Sequence, residues 1–172
     1  MATDSLVTSN RKYNHPAMVK VTNTGPYMIG GSGEVAACDI VQHIWEPPIP
    51  TVTDKKDIYH FMIAEVIPSL KKCFKDNEYK WDREDEDGET KFAFLIALEG
   101  QVFEVADDLS VCLDASGMYG VGSGSSLALG ALKAQAELPV AMQIAADIDP
   151  YTAPPFLYFT QKKPVIKKKT VK

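Results

Sequence analysis

The spacing of hydrophobic positions changes several times along this 172-residue chain, and each change marks an element. Leu6 and Val7 stand out in a polar opening and predict a short strand. Met18, Val19 and Val21 begin a second one, and Gly25-Pro26 supplies its turn. Residues 26–33, PYMIGGSG, read as a short apolar strand running into a glycine-rich bend. Beyond the bend, Ala37, Ile40, Val41, Ile44 and Trp45 recur at helical spacing on one face. Glu34 suits the first turn of that helix, and Pro47-Pro48 stops it. A second helix is expected from about Asp54, taken as its N-cap, with Ile58, Phe61, Met62 and Val66 turned inward. Pro68 should end or kink it.

The second half switches back to strands. Residues 92–98, FAFLIAL, are apolar on both faces, as in a sheet covered on both sides. Glu99-Gly100 predicts a tight hairpin turn into residues 101–106. Residues 110–113 and 118–121 read as further short strands. Two helical stretches follow, 125–136 and 140–148, separated by Pro139, and residues 156–160 close as a strand. Paired helices between runs of antiparallel strands predict an α+β fold with two stacked sheets between helix layers, a four-layer αββα sandwich. The reading gives one domain over 1–161 and a lysine-rich tail over 162–172.

Composition narrows the class. A hydrophobic fraction of 45% with 24% charged residues is that of a globular protein. No apolar run nears the roughly 18 residues that span a bilayer, and the opening residues lack the apolar core of a secretory signal. Cys38, Cys73 and Cys112 are odd in number and far apart, which predicts buried free thiols in a reducing compartment. The net charge of −5 divides into an acidic run at 82–89 and a tail with six lysines. The acidic run reads as a solvated loop. The tail has no arginine and no interleaved aromatic, so its composition argues against nucleic acid as a partner.

Singly, the candidate motifs say little. GVGSGSS at 120–126 opens a predicted helix but lacks the lysine of a phosphate-binding loop. His15, His43 and His60 have no partners at metal-ligand spacing.

In order, the motifs resemble one family. Residues 2–8, ATDSLVT, are similar to an early strand of proteasome β subunits and the related peptidase HslV. Met18-Val19-Lys20-Val21 follows where that family carries its catalytic lysine. Gly31-Ser32-Gly33 resembles its glycine-rich bend, and Cys38 sits where many proteasome subunits have Ala-Asp-Cys. Gly122-Ser123-Gly124 is similar to the GSG that opens its third helix. Asp149-Pro150-Tyr151-Thr152 resembles its D-x-Y-[ST] motif near the end of the fourth.

The resemblance implies an N-terminal-nucleophile hydrolase, in which the hydroxyl of an N-terminal threonine attacks a peptide carbonyl. It implies Lys20 as the group that lowers the cost of removing the hydroxyl proton, with Asp4 as its carboxylate. Ser123 and Asp149 are the implied network around the α-amine. The implied oxyanion donor is the Gly33 backbone N–H, with Gly31 second. Thr8 and Gly31 would bind an extended substrate by strand addition. A structural cation held near Ala146, Asp149 and Thr152 is a further implication, as are a ring of like subunits, a separate ATP-driven unfoldase and a peptide substrate.

One part of the pattern departs. The family's threonine belongs about a dozen residues before the strand of Asp4 ends, and Met1 stands only three before Asp4. Thr3 lies at the wrong point along the strand to replace it. Two expectations follow. One is a shortened sequence of a cytoplasmic threonine peptidase, inactive as written. The other is a non-catalytic structural or assembly subunit, for example of a viral or phage particle, in which case the location is the virion.

Overall fold

The apolar run Phe92–Leu98 (β6) forms the centre of the fold in a computed structural model describing residues 1–8, 11–14, 18–82 and 91–161. It is flanked by β5 (Tyr27–Gly33) and β7 (Gln101–Val105), both antiparallel to it. The edges are β4 (Val21–Thr24) and β8 (Val111–Cys112), giving a five-stranded sheet in the order β4-β5-β6-β7-β8. Glu99 and Gly100, at φ 50° and 84°, make the two-residue turn between β6 and β7. Two short pairs stand apart: β1 (Ala2–Thr3) with β9 (Leu157–Tyr158), and β2 (Leu6–Thr8) with β3 (Lys12–Asn14).

Register decides what each face of the large sheet carries. Ile29 pairs with Ile96, and Ile96 with Phe103, so these side chains share one face. Helix α1 (Val35–His43) and the helical stretch from Ile58 to Asp76 cover it, burying Val41, Met62, Leu70 and Phe74 completely or nearly so. That stretch comprises α2 (Ile58–Phe61), a π-helical turn over Met62–Val66 and α3 (Ile67–Asp76). The wider turn stands directly before Pro68, whose missing N–H and ring cannot follow a regular turn. The kink expected at Pro68 is therefore taken up without ending the helix.

The opposite face is thinner. Val21, Met28 and Ala97 are buried there, packed by Met1, Val102 and Phe159. Beyond them lie α4 (Ser125–Lys133) and α5 (Leu138–Ile148), which pack on each other; α4 has no buried residue, and α5 buries Ala141, Met142 and Ala145.

Several expectations are corrected. Met18 and Val19 are exposed and precede the strand, which begins at Val21. The polar β3 went unpredicted because Lys-Tyr-Asn has no apolar alternation. The second helix is capped by Asp57, whose carboxylate accepts the His60 N–H; Asp54 instead accepts from the Thr51 N–H and hydroxyl, closing a preceding 3-10 turn. Residues 118–121 form no strand, since Asp114 accepts from Ser116 and bonds Tyr119, folding that segment into a turn. Pro139 sits in the first turn of α5, where its missing N–H costs nothing. All three cysteines are free, but none is fully buried as expected: Cys38 and Cys73 are half-buried and Cys112 is exposed on an edge strand. The acidic run from residue 83, His15 and the tail 162–172 lie outside the described residues. No helix among the described residues is long and apolar enough to cross a membrane.

Candidate catalytic site

Five chain segments meet at one end of a cavity of about 550 Å³ between the large sheet and α4–α5. The first is the link from β1 to β2. There the Asp4 carboxylate accepts the Leu6 N–H at 3.0 Å, a local turn that fixes the side chain before any partner arrives. Its other oxygen accepts from Lys20 Nζ at 2.7 Å. The two side chains are 13% and 26% exposed, so the pair is better shielded than a surface ion pair.

The second segment, ending at Lys20, is joined to the third by the backbone. The Lys20 carbonyl accepts the Gly31 N–H at 3.1 Å, so the lysine and the glycine-rich end of β5 move as one unit. A Cβ on Gly31 would meet Cys38 Sγ and the Phe94 ring at 3.0 Å, so the bend is packed from behind. Burial, then the Asp39 charge, push the Cys38 thiol up to about 11 against the opposing effect of Lys20. Cys38 is thus a neutral packing group beside the lysine.

The fourth and fifth are the loop 122–124 and the turn 149–152. Gly122 at φ 93° approaches Ser32 so closely that a Cβ would lie 2.7 Å from its hydroxyl oxygen. Next in sequence, Ser123 Oγ donates to Asp149 Oδ2 at 2.6 Å. Thr152 Oγ1 donates to the same oxygen at 2.6 Å, and the Tyr151 N–H to Oδ1 at 3.2 Å. Gly124, the N-cap of α4, leaves room for this cluster: a Cβ there would run into Thr152 Oγ1 and come within 3.2 Å of Asp149 Oδ2. Asp149 is 8% exposed. Burial works to raise its pKa, but the Ser123 and Thr152 hydroxyls and the Tyr151 N–H hold it below the usual carboxylate value.

Contacts therefore run without a break from Asp4 to Lys20, through Gly31 and Ser32 to Gly122 and Ser123, and on to Asp149 and Thr152. Asp4, Lys20, Gly31, Ser123 and Thr152 all line the cavity. Gly33 does not. It stands at the end of β5 at φ 102°, against the Lys91 carbonyl and Phe92 Cα. Gly31 is in place, but its N–H is engaged by Lys20. Thr8 is exposed on β2, paired with Lys12, and Ala146 lies half-buried on α5; neither lines the cavity. Among the described residues no group of three or more His, Cys, Asp or Glu is placed to hold a metal ion. The Asp149 carbonyl accepts the Thr152 N–H at 3.2 Å, closing the turn on itself.

Thr152 as the second donor to Asp149, and Ser32 as the contact for Gly122, were not expected in those roles. The D-x-x-T spacing over a helix end could have suggested the first, since it places both side chains on one turn.

No family model matches this chain, and no curated protein does. Solved structures do, across most of the length. BPH from Thiobacillus denitrificans, in complex with epoxomicin, superposes with a TM-score of 0.68 at 22% identity, covering 92% of this chain and 89% of that one. Eukaryotic HslV from Trypanosoma brucei gives 0.57 at 18% identity over 90% and 88%. Anbu from Hyphomicrobium sp. strain MC1 gives 0.53 at 9% identity over 90% and 73%. At these identities the likeness establishes the fold, the αββα arrangement of the HslV and proteasome type.

Proposed function

We propose that this chain is a subunit of a proteasome- or HslV-type peptidase, and that the cluster at the cavity end holds and activates a hydroxyl nucleophile for attack on a peptide bond. The observation that carries this reading is the convergence of Asp4–Lys20 with Ser123–Asp149–Thr152 across the glycine bend. The Lys20 ammonium, held by Asp4 at 2.7 Å, lowers the cost of taking the proton from a hydroxyl beside it. The hydroxyl oxygen bonds to the scissile carbonyl carbon while its proton passes to a neighbouring amine, which later protonates the leaving nitrogen. Ser123, oriented by Asp149, is the hydrogen-bond partner for that amine. Of the two glycines expected at the oxyanion, Gly33 stands outside the cavity and the Gly31 N–H is engaged by the Lys20 carbonyl, so neither is assigned that role here. Thr8, on an exposed strand, pairs with an extended substrate. Assembly with like subunits and delivery of substrate by a separate ATP-driven unfoldase belong to the same reading.

A second reading is a non-catalytic structural subunit of this fold, in a ring or a particle. It is favoured by how these cavity hydroxyls are engaged: Thr3 donates to the Asp4 carbonyl, Ser123 and Thr152 both donate to Asp149, and none of the three accepts from the Lys20 ammonium, which donates to Asp4. Turnover of fluorogenic peptides by the protein expressed from its own gene separates the two. The peptidase reading predicts hydrolysis that falls about 10²- to 10⁴-fold in Lys20→Ala, with the fold intact by circular dichroism. No hydrolysis by the wild type, or an unchanged rate in Lys20→Ala, favours the structural subunit.

A further inference from the structure

The hairpin β2–β3 reaches the site from outside the cavity, and its register decides which side chains can touch that site. Leu6 and Thr8 alternate onto one face of β2, and Lys12, paired with Thr8, stands on the same face of β3. Leu6 is buried, so this face is turned toward the body of the domain. The other face is engaged with itself, the Arg11 guanidinium lying over the Tyr13 ring at 4.8 Å. Lys12 is therefore the cation of the hairpin that faces inward. Its ammonium donates to the Pro150 carbonyl at 2.8 Å, although 138 positions separate the two in sequence.

Pro150 belongs to the turn that carries Asp149. That turn's own bond runs from the Thr152 N–H to the Asp149 carbonyl, which leaves the Pro150 carbonyl for a donor from outside it. A second bond fixes the root of the hairpin to the same stretch of chain. Ser5, fully buried, donates from Oγ to the Pro155 carbonyl at 3.1 Å.

We propose that Lys12 is a positioning residue: its ammonium clamps the strand that carries Thr8 to the turn that carries Asp149 and Thr152. The place where substrate pairs and the place where Ser123 is oriented then keep a fixed spacing. A charged donor suits the task, since such a bond is roughly twice as strong as a neutral one. The same ammonium favours the ionised Asp149 carboxylate, a smaller influence than burial and than the hydrogen bonds from Ser123, Thr152 and Tyr151. Without Lys12 the hairpin keeps its Ser5 anchor and Asp149 keeps its three donors. The fold survives, and the relative placement of Thr8 and Ser123 is lost. The consequence for turnover rests on the peptidase reading; the tie itself does not.

Lys12→Met removes the ammonium and keeps the stem, while Lys12→Arg keeps a charged donor. Both are compared with the wild type, expressed from its own gene, using a fluorogenic hexapeptide and amide hydrogen exchange. KM is expected to rise about three- to tenfold in Lys12→Met and to return toward the wild-type value in Lys12→Arg. A variant that merely folded less would lower kcat through its active fraction and leave KM unchanged. Exchange of the Thr152 N–H should quicken about tenfold in Lys12→Met, with Phe92–Leu98 unaffected. A wild-type KM in Lys12→Met, or no recovery in Lys12→Arg, overturns the positioning role. Wild-type exchange at Thr152 in folded Lys12→Met overturns the tie itself. Absence of turnover in the wild type defeats the peptidase reading instead, and exchange still decides the tie, so the two failures are distinguishable.

Discussion

The two faces of the five-stranded sheet are built by the same strands and end up differently. Toward α1–α3, Phe92, Phe94, Ile96 and Phe103 interlock with Phe61, Met62, Leu70 and Phe74, all of them 0–3% exposed. Toward α4–α5 the sheet presents smaller or more flexible side chains, and the helices stand off across a cavity of about 550 Å³. Packing at interior density on one face fixes the sheet as a platform. Looseness on the other leaves access to the Asp4, Lys20 and Asp149 cluster at its rim. Stability and chemistry are divided between opposite sides of one sheet.

Cavity-forming substitutions on the two faces should break the symmetry most sharply. Leu70→Ala and Phe94→Ala on the packed face are expected to cost about 3–5 kcal/mol each. Leu129→Ala and Leu132→Ala, half-buried on the open face, should cost about 1 kcal/mol, since water already borders them. Urea denaturation reads both, and equal losses would erase the distinction.

At the rim the packing is again tight. Gly124→Ala brings a methyl onto Thr152 Oγ1 and is expected to cost about 1–3 kcal/mol. An Asp149→Asn background, which loosens the same cluster, should lessen that cost in a double-mutant cycle.

A smaller effect is set by pH. The folded Asp149 carboxyl has a lowered pKa, so the unfolded chain holds the proton more readily. Its stabilisation is present above the unfolded value, roughly 3.9, and is lost as pH falls through the folded one. Thermal scans should show a stability decline in that acid window that is shallower in Asp149→Asn. Thiol labelling gives the finest contrast. Exposed Cys112 should react quickly at neutral pH, while Cys38, half-buried and pushed up to about 11, should react far more slowly until unfolding.

The packed face was the legible one. Phe92–Leu98 announced a doubly covered strand, and Ala37, Ile40 and Val41 a helix, because burial imposes periods that sequence records. The Asp4–Lys20 pair and the Ser123–Asp149 bond were expected only through family resemblance, since sequence separations of 16 and 26 leave no local signal. Residues 118–121 failed as a strand because hydrogen bonds between Asp114, Ser116 and Tyr119 outweighed their apolar character. The cavity itself was not legible, since it depends on how β1 and β9, at opposite ends of the chain, pair.

Amide hydrogen exchange tests the division most directly, because it reads each face separately in one sample. Amides of Phe92–Leu98 should exchange only through global unfolding, while those of α4 and α5 exchange orders of magnitude faster through local opening. Equal protection of β6 and α4–α5 in the free protein would contradict the account.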